Sequence, residues 1–567
     1  MIKKFKKLLK KYGIDGYIIP KNDEYFNEYI SPSEDRLKFL SNFSGSAGFA
    51  IILKNKKYLF VDGRYSIQAK KQSGKKFKII TIPNKFPKDV IKPKKEIIIG
   101  FDPKLHTEKE LKFLFNINNV KLRPVLTNLI DKIWLGRKKK KPKPFFSIPK
   151  EKAGITYGKK ILQVKKFINK NKTDLLLVTS PENIAWILNI RGQDSYYSPI
   201  PNSRLLIDNK GKVTLFANLK KIKNIQKLFR DKIVLTDEDN LDKVLKSISN
   251  KNIWLDKQSC SVYHKMILSK KNRIIQEIDP IYYLKSIKNK TEIKNIEKAH
   301  LDDGVALTKF LFWLKNNFKR KKISEISAQN KLEDFRKLNS NYKFPSFSTI
   351  SGSGPNSAII HYKATIKSNR VLRKGDLYLV DSGGQYHYGT TDVTRTVSLE
   401  NKSRNIKNIY TRVLKGHIAV SNFKIKKNTT GSIVDKNARK FLRKINLDYP
   451  HGTGHGVGYF LNVHEGPHSL SKKNKIYLKN GMILSNEPGY YREGSFGIRI
   501  ENLVYIKKNK FKELTMAPID KDLIDKKILN SSEILWLNNY HNLVKKCLNK
   551  FMNKSEKIQL AKACSPI

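Results

Sequence analysis

The sequence predicts an α/β + α+β protein, with two successive α/β domains followed by an α+β domain and a C-terminal extension. Three observations lead there. The chain has 567 residues, more than one hydrophobic core usually supports, so two or three domains are expected. Across 1–285, short apolar runs bounded by Gly, Pro or charge alternate with helix-like stretches. At Thr291 the pattern changes to a long helical stripe, beyond which helices and antiparallel strand pairs alternate.

Taken in order, 1–136 reads as the first α/β domain. Its strands are GYIIP, FAIILK, KYLFVDGRY and KEIIIGFD. The basic start, MIKKFKKLLKKYGID, has no apolar core, and Ile2, Phe5, Leu8 and Leu9 space like one face of a short helix. RKKKKPKP interrupts the pattern, and 137–150 is expected to be a linker or exposed bend, since two prolines in a basic run cannot continue a helix. Residues 151–285 repeat the first style with DLLLVTS, SRLLIDNKGKVTLFAN, KIVLTD and NIWLDK, as a second copy would. In 286–512, Ile293, Ile296, His300, Leu307, Leu311 and Leu314 fall on one helical stripe, where His300 reads as a packed residue. In 513–567, Asn530, Ser531 and Ser532 can cap a helix whose Ile534, Leu537, Val544 and Leu548 share an inward face; the tail after Met552 is expected to be mobile.

Composition narrows the class. Cys260, Cys547 and Cys564 are far apart and form no CxxC pair, so neither a disulfide framework nor a zinc ribbon is indicated and a cytoplasmic protein is expected. Nothing approaches a membrane-spanning apolar run. The net charge of +65 would suit a polyanion partner, but the lysines are spread along every segment beside abundant Ile and Asn, so compositional drift explains them and no specific nucleic-acid binding is expected.

The chemistry centres on 376–396, DLYLVDSGGQYHYGTTDVTRT. Leu377, Leu379 and Asp381 share one strand face and Asp392, Thr394 and Thr396 recur at the same period, so two strands and a tight connection bring Asp381 and Asp392 together. Facing carboxylates held away from water need a cation or a shared proton. Three later segments supply more ligands. PHGTGHGVG carries His451 and His455 among glycines, SNEPGYY offers Glu487, and GIRIENLVYI places Arg499 and Glu501 on one face. Asp381, Asp392, His455, Glu487 and Glu501 form an oxygen-rich set that suits Mn more than Zn, and carboxylates bridging two ions suit metal-assisted hydrolysis. Singly, each acid reads as an ordinary solvated strand-end residue. Seven of the 11 histidines, however, lie between His361 and His468, as a site predicts.

SGSGPNSAIIHY, DSGGQYHYGTTDVTRT, GHIAVS, HGTGHGVGYFLNVHEGP, NEPGYY and GIRIEN, in this order and spacing, resemble the motifs of the pita-bread metallopeptidases, and among them those of the three-domain Xaa-Pro aminopeptidases. The resemblance covers almost the whole chain. It implies two creatinase-like α/β domains, a pita-bread catalytic domain, two divalent ions usually taken to be Mn, and cleavage between residue one and a proline at residue two. It further implies that Asp392 and Glu501 bridge the ions, that Asp381 holds one, and that His455 with Glu487 holds the other, with a hydroxide between the ions as nucleophile. His361 and His464 would donate to the substrate carbonyl and the oxyanion, His451 would lie near the proline pocket, and Glu487 would shuttle the proton. Support of the metals from behind is the alternative for the three histidines. Arg499 would orient Asp381. A homodimer acting on peptides with proline in second position follows by the same analogy.

Gly384, Tyr388 and Ser348 depart from the family pattern, and none is a ligand. The competing readings are a prolidase-like dipeptidase, a methionine aminopeptidase, which lacks two upstream α/β domains, and an inactive nucleic-acid-binding relative, which would have lost ligands.

Overall fold

The computed structural model describes residues 2–137, 141–229 and 232–567, so residues 138–140 of the basic run lie outside the described residues. The chain forms two compact units, Met1–Tyr282 and Tyr283–Ile567.

The first unit contains two six-stranded sheets built alike. In the first, the strands Gly16–Pro20, Phe49–Leu53, Lys57–Asp62, Lys78–Ile82, Ile97–Phe101 and Val120–Pro124 lie in the order fourth, third, second, first, fifth, sixth. In the second, Leu175–Val178, Arg204–Asp208, Val213–Phe216, Val234–Thr236, Asn252–Asp256 and Arg273–Glu277 repeat that order. Both sheets have an antiparallel pair of joints, first to second and second to third, and parallel joints elsewhere. The second copy read from the sequence is therefore real at the level of topology. Three strands were not legible: Lys78–Ile82, Val120–Pro124 and Arg273–Glu277. All three are sheet edges, and in Val120–Pro124 and Arg273–Glu277 the residues Lys121, Arg123, Arg273, Gln276 and Glu277 break up the apolar pattern.

After the basic run the chain is anchored at once. Phe145 is fully buried and its amide donates to the Lys221 carbonyl at 2.7 Å, while Phe146–Ser147 pairs with Ile190–Arg191. Arg191, in the RGQDSYYSP segment, is buried and donates from Nη1 to the carbonyls of Ala185 and Ile190, a structural task.

The second unit opens with the helix Lys290–Asn317. Asn289 caps it, accepting from the Thr291 and Glu292 amides while Glu292 returns a bond to the Asn289 amide. Ile296, Ala299, His300, Leu307, Leu311 and Leu314 are buried along it, and burial pushes the His300 imidazole down to about 4. The strands Ile350–Ser353, Leu377–Ser382 and Val393–Ser398 form an antiparallel sheet with Leu377–Ser382 in the middle. All six residues of Leu377–Ser382 are buried, so the sheet is covered on both faces rather than half-solvated. Its connection to Val393–Ser398 is also no tight turn. Gly384–Tyr386 and Gly389–Thr390 form a hairpin that joins Tyr342–Pro345 in a neighbouring sheet. A five-stranded sheet follows in the order Glu465–Leu470, Gly454–Gly456, Ile483–Asn486, Asn502–Lys507, Lys510–Glu513, beside the ribbon Gly489–Arg492 and Phe496–Arg499.

The helix Ser531–Leu548 is capped by Asn530 as expected, with Leu537, Val544 and Leu548 buried. The tail beyond Met552 is not loose. It forms the helix Lys554–Ala563, capped by Asn553, and buries Leu560 and Cys564 in the core shared with Tyr410, Leu414 and Tyr540. Its apolar residues are too few to show a stripe, and neighbours from distant sequence supply the partners.

Candidate metal centre

The paired strands set the first two acids. Asp381 lies opposite Thr394 and Ser382 opposite Val393, so Asp381 and Asp392 occupy the same end of adjacent strands. Gly454–Gly456 brings in His455, and it can run beside Ile483–Asn486 only because position 454 has no side chain: a Cβ there would fall 1.9 Å from the Ser485 carbonyl oxygen. Glu487 follows that strand directly, and Glu501 follows Phe496–Arg499. Arg395, fully buried, donates from Nη1 to the Glu501 carbonyl at 2.7 Å and from Nη2 to Asn502 and Ala517, which fixes the turn that carries Glu501.

One ligand atom each from Asp392, His455 and Glu501 lies within 4.8 Å of the others. His455 Nε2 stands 3.4 Å from Asp392 Oδ2 and 3.5 Å from Glu487 Oε1. Its Nδ1 donates to the Gly456 carbonyl at 3.0 Å, which leaves the Nε2 lone pair facing the carboxylates. Arg499 Nη2 donates to Asp381 Oδ2 at 2.6 Å, and Thr394 Oγ1 donates to Glu501 Oε2 at 2.7 Å.

The electrostatics are those of a site built for cations. Burial and the neighbouring charges of Asp381 and Glu487 hold the Asp392 carboxyl well above the usual range. Burial and the charges of Asp392, Glu487 and Asp381 do the same to Glu501. Burial also raises Asp381, against the pull of Arg499. At Glu487 burial is outweighed by His455, His451 and Arg499, and its carboxyl is lowered. Asp381 Oδ1 and Asp392 Oδ1 are buried without a hydrogen-bond partner. Two orphaned acid oxygens in a cluster of like charges fit divalent ions, and a proton alone would satisfy them poorly.

Of the three histidines outside that set, His464 and His451 are linked to it. The rings of His455 and His464 meet edge to face at 4.3 Å. His451 Nδ1 donates to the Gly452 carbonyl and its Nε2 accepts from the Tyr491 hydroxyl at 2.9 Å; burial pushes its imidazole down to about 4. Tyr491 in turn accepts from Arg499 Nη1 at 2.6 Å, so a chain of hydrogen bonds links His451 through Tyr491 and Arg499 to Asp381. His361 is half-buried in a segment fastened to the strand before Glu501, where the Gly497 amide donates to Ser357 Oγ at 2.7 Å. Position 497 must be glycine there, because a Cβ would sit 1.9 Å from the Ser357 carbonyl oxygen. His387 is exposed, whereas His417 and His468 are buried and bonded to backbone carbonyls, as surface and structural residues are.

Sequence reasoning missed Tyr491, Thr394, Arg395 and Ser485, whose hydroxyl accepts from the His455 amide and donates to Glu487 Oε1. Thr394 and Tyr491 sit in the quoted motifs at alternate strand positions, which was the one available signal. Arg395 and Ser485 lie in the same motifs, but their partners, the Glu501 carbonyl, Asn502, the His455 amide and Glu487, are brought to them only by the fold.

The model of metallopeptidase family M24 matches residues 294–508, that of the C-terminal region of the same peptidases matches 508–567, and the creatinase/prolidase N-terminal domain is matched at 1–133 and again at 136–292. The probable Xaa-Pro aminopeptidase P of Laccaria bicolor is 36% identical over 95% of this chain and 88% of its own. That of Paracoccidioides brasiliensis is 35% identical over 95% and 94%. Among solved structures, an X-prolyl aminopeptidase of Caenorhabditis elegans, described as a cytosolic enzyme with a dinuclear active site, superposes with a TM-score of 0.92 at 30% identity and covers 100% of this chain and 99% of its own. A prolidase of Thermococcus sibiricus matches at 28% identity and a TM-score of 0.53, covering 64% of this chain and 98% of its own.

Proposed function

The chain belongs to metallopeptidase family M24, and on that premise we propose that it is a metal-dependent Xaa-Pro aminopeptidase, a hydrolase that releases an N-terminal residue from a proline in second position. The observation that carries this reading is the buried acid cluster with its two unpartnered oxygens on Asp381 and Asp392, in a chain that spans nearly the full length of Xaa-Pro aminopeptidases.

Asp392 and Glu501 would be shared by two divalent ions, Asp381 would complete one, and His455 with Glu487 the other. Four hard carboxylates favour Mn. When bound, such a pair supplies Lewis acidity and acidifies water at neutral pH. The rest is the work of side chains. His361 and His464 donate to the scissile carbonyl and to the oxygen that gains charge. Glu487 takes the proton from water and passes it to the proline nitrogen as the C–N bond breaks. Arg499 holds Asp381 in place, and His451, bonded between Tyr491 and Gly452, would lie near the proline pocket. Among the described residues no helix is long and apolar enough to cross a membrane; a cytoplasmic homodimer with no specific nucleic-acid partner completes the proposal. The domain limits that go with it are 1–136, 151–285, 286–512 and 513–567, with 137–150 as linker.

The test is hydrolysis of Arg-Pro-Pro, Arg-Pro and Met-Ala-Ser by the purified chain reconstituted with Mn. Release of arginine from Arg-Pro-Pro is expected. Turnover of Arg-Pro alone would assign a dipeptidase instead, and turnover of Met-Ala-Ser would reject proline specificity.

A further inference from the structure

The loop that brings His451 and His455 to the site is rich in glycine, with Gly452, Gly454 and Gly456 between and beside them. Ordering such a loop costs backbone entropy, and residues 449–453 lie outside any strand or helix that would hold them. Besides the bonds of Tyr449 to Thr453 and of His451 to Tyr491, they are gripped by an ion pair on the helix Gly431–Arg443, whose arginine also donates from Nη1 to Asp448 Oδ1 at 2.7 Å. Asp435 and Arg439, one turn apart, are 1% and 2% exposed, and Arg439 Nε donates to Asp435 Oδ2 at 2.9 Å.

Each partner then reaches the loop. Arg439 Nη1 donates to the Tyr449 carbonyl at 2.8 Å and Nη2 donates to the His451 carbonyl, while the guanidinium stacks over the Tyr449 ring at 4.0 Å. Asp435 Oδ1 accepts from the Thr453 hydroxyl at 2.7 Å and from the Thr453 amide at 3.2 Å. The Thr453 carbonyl accepts from the Glu487 amide at 2.8 Å. The pair therefore fixes the backbone at His451 and at Thr453, two residues before His455, and, through the Thr453 carbonyl, the backbone of Glu487.

We infer that Asp435 and Arg439 are positioning residues for one half of the metal centre: they set His451, His455 and Glu487 relative to one another, and they leave the Asp381 half to Arg499. This rests on the ligand assignment proposed above. The planar fork of arginine suits the task, since a single ammonium cannot span a carboxylate and two carbonyls in the same plane.

The experiment is a Mn²⁺ binding isotherm of the full chain, read beside kinetics on Arg-Pro-Pro. In the variant Asp435→Asn/Arg439→Met, both charges leave together, so no lone buried charge remains to unfold the protein. One of two Mn²⁺ sites should weaken tenfold or more while the other stays within about twofold. With both sites saturated, kcat/KM should remain at least tenfold down. Thr453→Val, a smaller lesion, should weaken the same site by less, and it decides the matter if the double variant does not fold. A folded variant with the wild-type isotherm and wild-type kinetics, changed only in its melting temperature, would show a strut of the fold and overturn the inference. The isotherm needs no substrate, so it remains decisive if the wild type binds two ions but leaves Arg-Pro-Pro intact; a wild type that binds no Mn²⁺ rejects the ligand assignment and this inference together.

Discussion

Glu501→Gln should stabilise the metal-free protein and abolish its stabilisation by metal. Glu501 is 1% exposed, and its ligand atom lies within 4.8 Å of those of Asp392 and His455. Two unit charges at that separation repel by about 3.5 kcal/mol at an effective dielectric of about 20. Protonation relieves part of this, because both acids are held well above the ordinary range, so roughly 1–2 kcal/mol is expected to persist at neutral pH. Glutamine keeps the shape and the acceptor for Thr394 Oγ1, so no new unpaired group offsets the gain. Against this, an ion present at a hundred times its Kd stabilises the wild type by about 2.7 kcal/mol, which the variant forgoes if Glu501 is shared by both ions. The two stability curves should therefore cross. In chelator the variant is more stable, and in saturating Mn²⁺ the wild type is. Urea unfolding in both conditions, with elemental analysis of the dialysed variant, measures it. A variant less stable than wild type in chelator, or one that retains two tightly held ions, would refute the reasoning.

Chelation should abolish peptidase activity, with Mn²⁺ restoring it better than Zn²⁺; undiminished turnover by exhaustively stripped protein would reject the metal reading. His361→Ala should lower kcat by about a hundredfold with little change in KM or metal content, and rescue by high Mn²⁺ would instead assign it to supporting the metals. Glu465, fully buried between Lys285 at 3.4 Å and Lys288, has its carboxyl held below the usual range by those cations against the effect of burial. Its contribution is complete above the ordinary glutamate pKa and is lost as pH falls through the lower folded value. Glu465→Gln, which strands two buried ammonium groups, should cost about 3–5 kcal/mol in urea unfolding at neutral pH and flatten the acid limb of the stability curve. Truncation after Met552 should lower the free energy of unfolding by about 2–4 kcal/mol, as loss of a buried leucine and its helix requires; unchanged stability would show that Lys554–Ala563 is not part of the core.

The local chemistry of the chain was written in its order of residues. Period-two alternation placed Asp381 and Asp392 at matching strand ends, glycines marked where backbone passes another chain segment closely, and Asn530 announced the helix it caps. These are short-range effects, so neighbours in sequence suffice to fix them. The edge strands, the hairpin that carries 384–390 into a second sheet, the packed C-terminal helix and the residues behind the site were decided elsewhere. Arg395 meets the Glu501 carbonyl across more than a hundred residues, and Arg439 works by reaching carbonyls that any residue could offer. Side chain to backbone bonds of this kind leave no mark on the sequence of the partner. Only the tertiary structure could decide them, because burial removes water as the competing partner and leaves those groups no one else to bond.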